Sequence, residues 1–304
     1  MAPFDPSPGL PSLPDLTTPQ NQPAQPVVTI PPVSLPSTPS TPTALQPPAS
    51  NPNLGTRATK LTPTFSDNFS NGIDPAKWGY NYPWSDACNG TGNADATQYA
   101  AYANPSCGLQ AGAGVFSTGA NGLDIAIKPT PGGIDASGKP YVTGQLYSKA
   151  AQLYGYFEMT ATLPATKGVG AAFWLMPQDG SWPPELDVME NLGQDPNTVY
   201  GTIHDTNSPQ QQVVSTVAGG VQVPHTYAVD WEASTTTFYT DGKATQSFAT
   251  PDSMKKPMYM ILSVNSSPPG HTNWGAPVDG STQFPADYNV QSVRTFNANP
   301  YAGN

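Results

Sequence analysis

Charge of either sign is scarce in this sequence: 11 Lys plus Arg and 21 Asp plus Glu make up only 11% of 304 residues. The basic residues form no run, and the formal net charge is −10. Such a chain has no electrostatic footprint for a phosphate backbone or an anionic membrane surface, which excludes nucleic acid and membrane as partners. No stretch reaches the ~18–20 consecutive apolar residues that a membrane span needs. No window carries a sustained 3.6-residue apolar stripe, so long amphipathic helices are excluded as well. Cysteine is limited to Cys88 and Cys107. The two could close one disulfide around a loop of about 20 residues, contributing roughly 3 kcal/mol by loop entropy, or stand as two buried thiols. The opening Met1-Ala2-Pro3-Phe4-Asp5-Pro6 shows neither a basic n-region nor an apolar h-region, so no signal peptide is visible.

Proline is abundant instead, and unevenly placed: 16 of the 37 prolines fall in residues 1–60. Residues 1–57 are built from Pro, Ser, Thr, Gln and Ala, with Asp5 and Asp15 the only charges before Arg57. Proline removes backbone donors and the small residues bring little to bury, so no packed core forms there. Residues 1–60 are expected to be a semi-extended tail or linker. Residues 61–304 are expected to be one domain, long enough for a sizeable core.

Within that domain the pattern is short and alternating. Leu123-Asp124-Ile125-Ala126-Ile127 alternates with period 2, and so does Thr235–Thr240, which ends in Asp241-Gly242, a hairpin turn signal. Val229-Asp230-Trp231 precedes that strand across Ala233-Ser234, which predicts a meander. Turn residues recur every 8–12 positions, at Asn121-Gly122, Pro131-Gly132-Gly133, Ser137-Gly138, Gly219-Gly220 and Pro268-Pro269-Gly270. Many short strands with Gly/Pro turns predict an all-β sandwich.

The most informative segment is Trp182-Pro183-Pro184-Glu185-Leu186-Asp187-Val188-Met189-Glu190, where three of the 21 acidic residues fall within six positions. On a regular strand Glu185 and Asp187 share a face, while Glu190 points the other way, beside Leu186 and Val188. An ionised carboxylate pushed into an apolar layer is costly. One extra residue near Val188-Met189, a β-bulge, removes the conflict and puts all three carboxylates on one face. Cleaving a glycosidic bond with retention needs two carboxyl groups about 5–5.5 Å apart, and two glutamates flanking an aspartate on a bulged strand can supply them. Asp187 between them can share a proton and hold a neighbour's pKa high. A solvated acidic face or a calcium-binding patch is the plainer alternative. Trp174 and Trp182 beside the cluster oppose it, because sugar rings stack on exposed aromatics.

At Glu185-x-Asp187-x-x-Glu190 the chain resembles family 16 of the glycoside hydrolases, its laminarinase-like branch, with the six-residue, bulged form of the motif. The likeness runs in order over residues 65–296. It takes in Phe65-Ser66-Asp67-Asn68-Phe69, Trp78, Ser148-Lys149 with Tyr154-Gly155-Tyr156-Phe157-Glu158, Leu163-Pro164, and Ala172-Phe173-Trp174-Leu175. Thr202-Ile203-His204, Tyr227–Trp231 and Phe284-Pro285-Ala286 continue it. The resemblance implies a β-jelly roll of two curved antiparallel sheets, concanavalin-like, with a concave substrate cleft. It further implies that Glu185 is the nucleophile, Asp187 the assisting carboxylate and Glu190 the acid/base. Trp174 and Trp182 would line sugar subsites, His204 would stand beside the acid/base, and Trp274, Asn81 and Trp84 would border the cleft. Tyr80 is a further cleft-loop candidate, and the stretch from Ser148 to Pro164 is expected to form a strand pair leading to the site.

Three positions depart from the laminarinase pattern. Gln145 and Thr160 stand where arginines are usual, and Asn93-Ala94-Asp95-Ala96-Thr97-Gln98 replaces an Asn-Glu pair. The Trp182-Pro183-Pro184-Glu185 run is closer to bacterial exopolysaccharide 1,3-1,4-β-glycanases. The aspartate by which many members hold a structural calcium is replaced by Gln291, so no metal and no other cofactor is expected. The expected function is a retaining endo-β-glycanase acting on a β-1,3- or mixed β-1,3-1,4-linked polysaccharide, as an extracellular or periplasmic monomer. An exopolysaccharide depolymerase, a transglycosylase sharing the covalent intermediate, and a non-catalytic glycan-binding jelly roll are the alternatives. A lectin would need the aromatics but not the three carboxylates.

Overall fold

The computed structural model describes residues 61–80, 82–83, 98–108, 113–133, 138–270 and 275–302. The expected tail, residues 1–60, lies outside them, as do Asn81, Trp84, Cys88 and Trp274. Among the described residues no helix is long and apolar enough to cross a membrane, and the two helical turns are short 3-10 segments.

Among the described residues, seventeen strands form two sheets. The sheet that bears the cleft has seven: β2 (Trp78–Tyr80), β7 (Gln145–Gln152), β9 (Val169–Pro177), β10 (Glu185–Asn191), β11 (Thr198–His204), β12 (Gln211–Thr216) and β16 (Met258–Ser266). Their order across it is β12-β11-β10-β9-β16-β7-β2. The opposing sheet holds β1 (Phe65–Asp67), β3 (Ala100–Tyr102), β4 (Phe116–Gly119), β5 (Gly122–Pro129), β6 (Tyr141–Thr143) and β8 (Gly155–Thr162). It is completed by β13 (His225–Trp231), β14 (Thr235–Thr240), β15 (Lys243–Ala249) and β17 (Ala286–Phe296). This is the expected jelly roll. Its strand pairs are antiparallel except for β3 with β6, which run parallel.

Alternation explains which sheet face is apolar. Leu123, Ile125 and Ile127 of β5 are fully buried while Asp124 and Lys128 are not. Between the sheets lie Phe69, Trp78, Phe157, Phe173, Trp231, Tyr288 and their aliphatic neighbours. Each fully buried large side chain contributes roughly 1.5–3 kcal/mol of transfer free energy. The meander is present as β13-β14-β15, and Asp241 (φ 52°) and Gly242 (φ 73°) supply the left-handed pair its turn demands.

The segment Ser148–Pro164 corrects one expectation. Its strands β7 and β8 follow each other in sequence but do not pair; each joins a different sheet. Tyr154 (φ 62°) and Gly155 (φ 112°) turn the chain between the layers, and a Cβ at Gly155 would fall 2.1 Å from the Phe296 carbonyl oxygen. Sequential neighbours therefore cross the core here instead of forming a hairpin.

Candidate active site

Strand β10 begins where Trp182-Pro183-Pro184 ends, and its two flanks are pinned. Before it, Asp179 accepts the Ser181 backbone N–H at 3.0 Å and the Ser181 hydroxyl at 2.6 Å, and pairs with Lys256 at 3.0 Å. Those Ser181 hydrogen bonds hold the exposed Asp179 carboxyl down at about 2. After the carboxylates, buried Asn191 accepts the Ala171 N–H at 2.9 Å and donates to the Pro164 carbonyl at 2.7 Å. The strand is thus clamped at both ends of its carboxylate run.

The bulge sits where parity demands it. Leu186 and Asp187 face Leu175 and Trp174 of β9, but Met189 faces Phe173 and Glu190 faces Ala172. Val188 is the extra residue. Leu186, Val188 and Met189 are buried in the core, whereas Glu185, Asp187 and Glu190 all line one cavity of about 390 Å³ on the outer side of the sheet. Trp174 lines the same cavity, its indole N–H donating to Ser263 Oγ at 3.1 Å. Tyr82 meets the Trp174 ring edge-on at 6.1 Å and Tyr102 at 5.8 Å.

Asp187 is nearly inaccessible, at 3% exposure. Burial above all, then the charges of Glu185 and Glu190 and the hydrogen bond shared with Glu185, pushes its carboxyl well above the usual range. Glu185 accepts the Trp182 indole N–H at 2.7 Å through Oε2, which fixes its orientation. Trp182 is otherwise open to solvent, at 65% exposure, and does not line the cavity.

His204 is brought to the site, but at the opposite end from the one expected. Its Nε2 lies 3.0 Å from Asp187 Oδ2 and 3.9 Å from Glu185 Oε1, while Glu190 faces Tyr200. Strand β11 runs antiparallel to β10, so the C-terminal His204 must face the N-terminal Glu185. Donor atoms of Glu185, Asp187 and His204 lie within 4.8 Å of one another, a set that could also take up a cation.

Tyr80 packs on Phe116 at 5.4 Å against the core, away from the cleft. Thr160 bonds Thr226 at 3.0 Å in the opposing sheet, whose partner strands are β13 and β17, so the loss of an arginine there leaves the cleft untouched. Gln145 is fully buried, with neither end of its amide hydrogen-bonded. It faces Ser263 across the β7–β16 pair, and Ser263 lines the cavity. Gln98 lines the cavity and donates to the Tyr82 hydroxyl at 3.3 Å. Cys107 is not a free thiol, but its expected partner Cys88 lies outside the described residues. Tyr82, Tyr102, Ser263 and Asn265 were not singled out by sequence, because strand pairing far along the chain, not any local motif, carries them to the cavity.

A carboxylate file on the floor of an aromatic-walled cavity, on one face of a two-sheet jelly roll, defines the class of protein. The family comparison then narrows it: residues 110–280 match the glycosyl hydrolases family 16, and the chain belongs to that family. It is 40% identical over 217 residues to the endo-1,3-1,4-beta-glycanase EglC of Rhizobium meliloti and 38% identical over 218 residues to ExsH of the same organism. Each alignment covers 67% of this chain and 46% of the relative, so the chain spans about half the length of these relatives. Among solved structures it is similar to SCLam, a non-specific endo-beta-1,3(4)-glucanase, with TM-score 0.65 and 26% identity over 78% of this chain and 91% of that one. The laminarinase catalytic domain of Thermotoga maritima, at 23% identity and TM-score 0.64 over 78% of this chain and 98% of that one, shares the fold.

Proposed function

We propose that this chain is a retaining endo-β-glycanase that hydrolyses β-1,3 or mixed β-1,3-1,4 linkages in a polysaccharide. The observation that carries the reading is the bulge at Val188, which gathers three carboxylates on the cavity floor with the middle one buried. In this reading Glu185 attacks the anomeric carbon while Glu190 protonates the departing glycosidic oxygen. Glu190 then takes a proton from water, which displaces Glu185 and releases the sugar. Asp187, holding a proton at rest, hydrogen-bonds Glu185 and exchanges that bond as Glu185 loses and regains its charge. The Trp182 indole keeps one Glu185 oxygen occupied, leaving the other for attack. The names of the relatives supply the linkage class. Polymers of this kind meet an enzyme outside the cytoplasm, and we assign the protein there as a monomer, with Cys107 bridged to Cys88.

The test is Glu185→Ala on soluble mixed-linkage β-glucan. The account expects at least a ~10⁴-fold loss of kcat, in line with removal of a covalent nucleophile. Partial recovery is expected on adding azide, accompanied by a glycosyl azide product. Near-normal activity without added anion would remove Glu185 from the nucleophile's role.

A further inference from the structure

His225 opens β13 and is buried, and both of its ring nitrogens meet oxygen acceptors. Nδ1 lies 2.7 Å from Asp241 Oδ2, and Nε2 lies 3.1 Å from the Gly220 carbonyl oxygen. A carbonyl can only accept a hydrogen bond, and so can an ionised carboxylate. A neutral imidazole carries one N–H and can serve one of the two; its other nitrogen would set a lone pair against an oxygen. Only the imidazolium, with two N–H groups, satisfies both.

Neither acceptor is free to turn away. Asp241 sits in the β14–β15 turn, its N–H donating to the Thr226 carbonyl at 2.8 Å and its Oδ1 accepting the Thr226 N–H at 3.0 Å. Gly219 (φ 84°) and Gly220 (φ 78°) make the left-handed turn of the β12–β13 loop that aims the Gly220 carbonyl at the ring. The next residue, Val221, donates to the Pro196 carbonyl and accepts the Leu163 N–H, each at 2.8 Å. Leu163 precedes Pro164, whose carbonyl takes the Asn191 amide at the end of β10. One ring thus joins a turn of the opposing sheet to a loop that backs the carboxylate strand.

Among the described residues, few charged or titratable groups face this ring. Asp241 faces it from the turn, Lys243 acts on Asp241 from the start of β15, and Tyr227 lies beside it on β13 with ring centres 6.2 Å apart. Burial raises the Tyr227 hydroxyl, which stays neutral, and β8 places Ala161 opposite His225. The Asp241 hydrogen bond, opposed by burial, holds the ring's pKa above its ordinary value. Burial alone would raise the Asp241 carboxyl, but the His225 and Thr226 hydrogen bonds bring it below the usual range, so it is ionised at neutral pH. We propose that protonated His225 is a pH-operated latch, holding the β12–β13 loop to the β14–β15 turn from mildly acid to neutral pH and releasing both as the ring loses its proton in alkali. The latch contributes fully between the unfolded values of its two groups, about 3.9 and 6.5. Its contribution is lost as pH rises through the raised His225 value, and again as pH falls through the lowered Asp241 value. It does not depend on what the chain cleaves.

Long-range proton–nitrogen NMR of the full chain reads the ring directly, because the sequence has only three histidines and His225→Gln identifies the signal. At pH 6.5, where a free imidazole is half charged, both His225 nitrogens should carry protons. Hydrogen-exchange protection of the Val221 and Thr226 amides should fall about tenfold as the ring is titrated from pH 6 to pH 9. Asp241→Asn tolerates the left-handed backbone and still accepts the Thr226 N–H. This variant should lose that pH dependence and melt about 4 °C below wild type at pH 6, with the gap at least halved at pH 9. A neutral ring at pH 6.5 would overturn the latch. So would wild-type protection that does not change with pH, or a melting gap equal at pH 6 and pH 9, which would make the pair a plain structural contact. If Asp241→Asn fails to fold, the wild-type ring signal and amide exchange still decide.

Discussion

Asp187 is a buried carboxyl group held between two others on the cavity floor, a placement that is costly to the fold. Its ionised form is disfavoured by burial and by two neighbouring glutamates, so its folded pKa stands above the unfolded value. Wild-type stability therefore falls as pH rises from the unfolded carboxylate value of about 3.9 toward the folded one. Asp187→Asn keeps the shape and removes the penalty. Its melting temperature should exceed that of wild type, by a margin that widens with pH over this window, while kcat drops about 100-fold or more. A variant that melts lower than wild type at neutral pH would show that Asp187 is held ionised by its surroundings. The grouping of this residue with Glu185 and Glu190 was legible in the sequence because acids are so rare elsewhere. The pairing of His204 with Asp187 and Glu185, and the Trp182 bond to Glu185, were not, since both depend on strand direction and a loop conformation. Gln145 reads as a mere departure from a family pattern until its register against Ser263 places it under the cavity.

At the scale of the element, β10 was readable because it contained a contradiction. Alternation assigned Leu186, Val188 and Glu190 to one face, burial of a lone carboxylate forbade it, and a bulge was the cheapest resolution. The structure places the irregularity at Val188. Deleting Val188 should therefore leave a regular strand in which Met189 still faces Phe173 and the glutamate still shares the face of Glu185. Its kcat/KM is expected to stay at least about tenfold above that of Glu190→Ala. If deletion is as damaging as Glu190→Ala, the bulge itself shapes the chemistry. The β7–β8 connection was misread for the opposite reason. Nothing in Gln152-Leu153-Tyr154-Gly155 distinguishes a hairpin from a crossing between layers; only the competition among all strands for partners decides it.

For the whole molecule, composition marks out a proline-rich opening, and alternation gave the fold class that the described residues show. Sheet order, the parallel β3–β6 pair and the gathering of Tyr82, Tyr102, Ser263 and Asn265 into one cavity are long-range outcomes that no local window encodes. A chain starting at residue 61 should fold unaided, with a melting temperature within about 2 °C of the full chain, because the removed residues bring no core-forming apolar pattern. A large fall would give the opening segment a structural part.

The central claim is that carboxylates gathered by the bulge work through a covalent intermediate, and stereochemistry tests it most directly. If Glu185 attacks the anomeric carbon directly and Glu190 serves first as acid and then as base, two successive inversions give net retention. Proton NMR of a fresh β-glucan digest should show the β-anomeric reducing-end signal first, with the α signal growing only as mutarotation proceeds. An α signal present from the first spectrum would contradict the account.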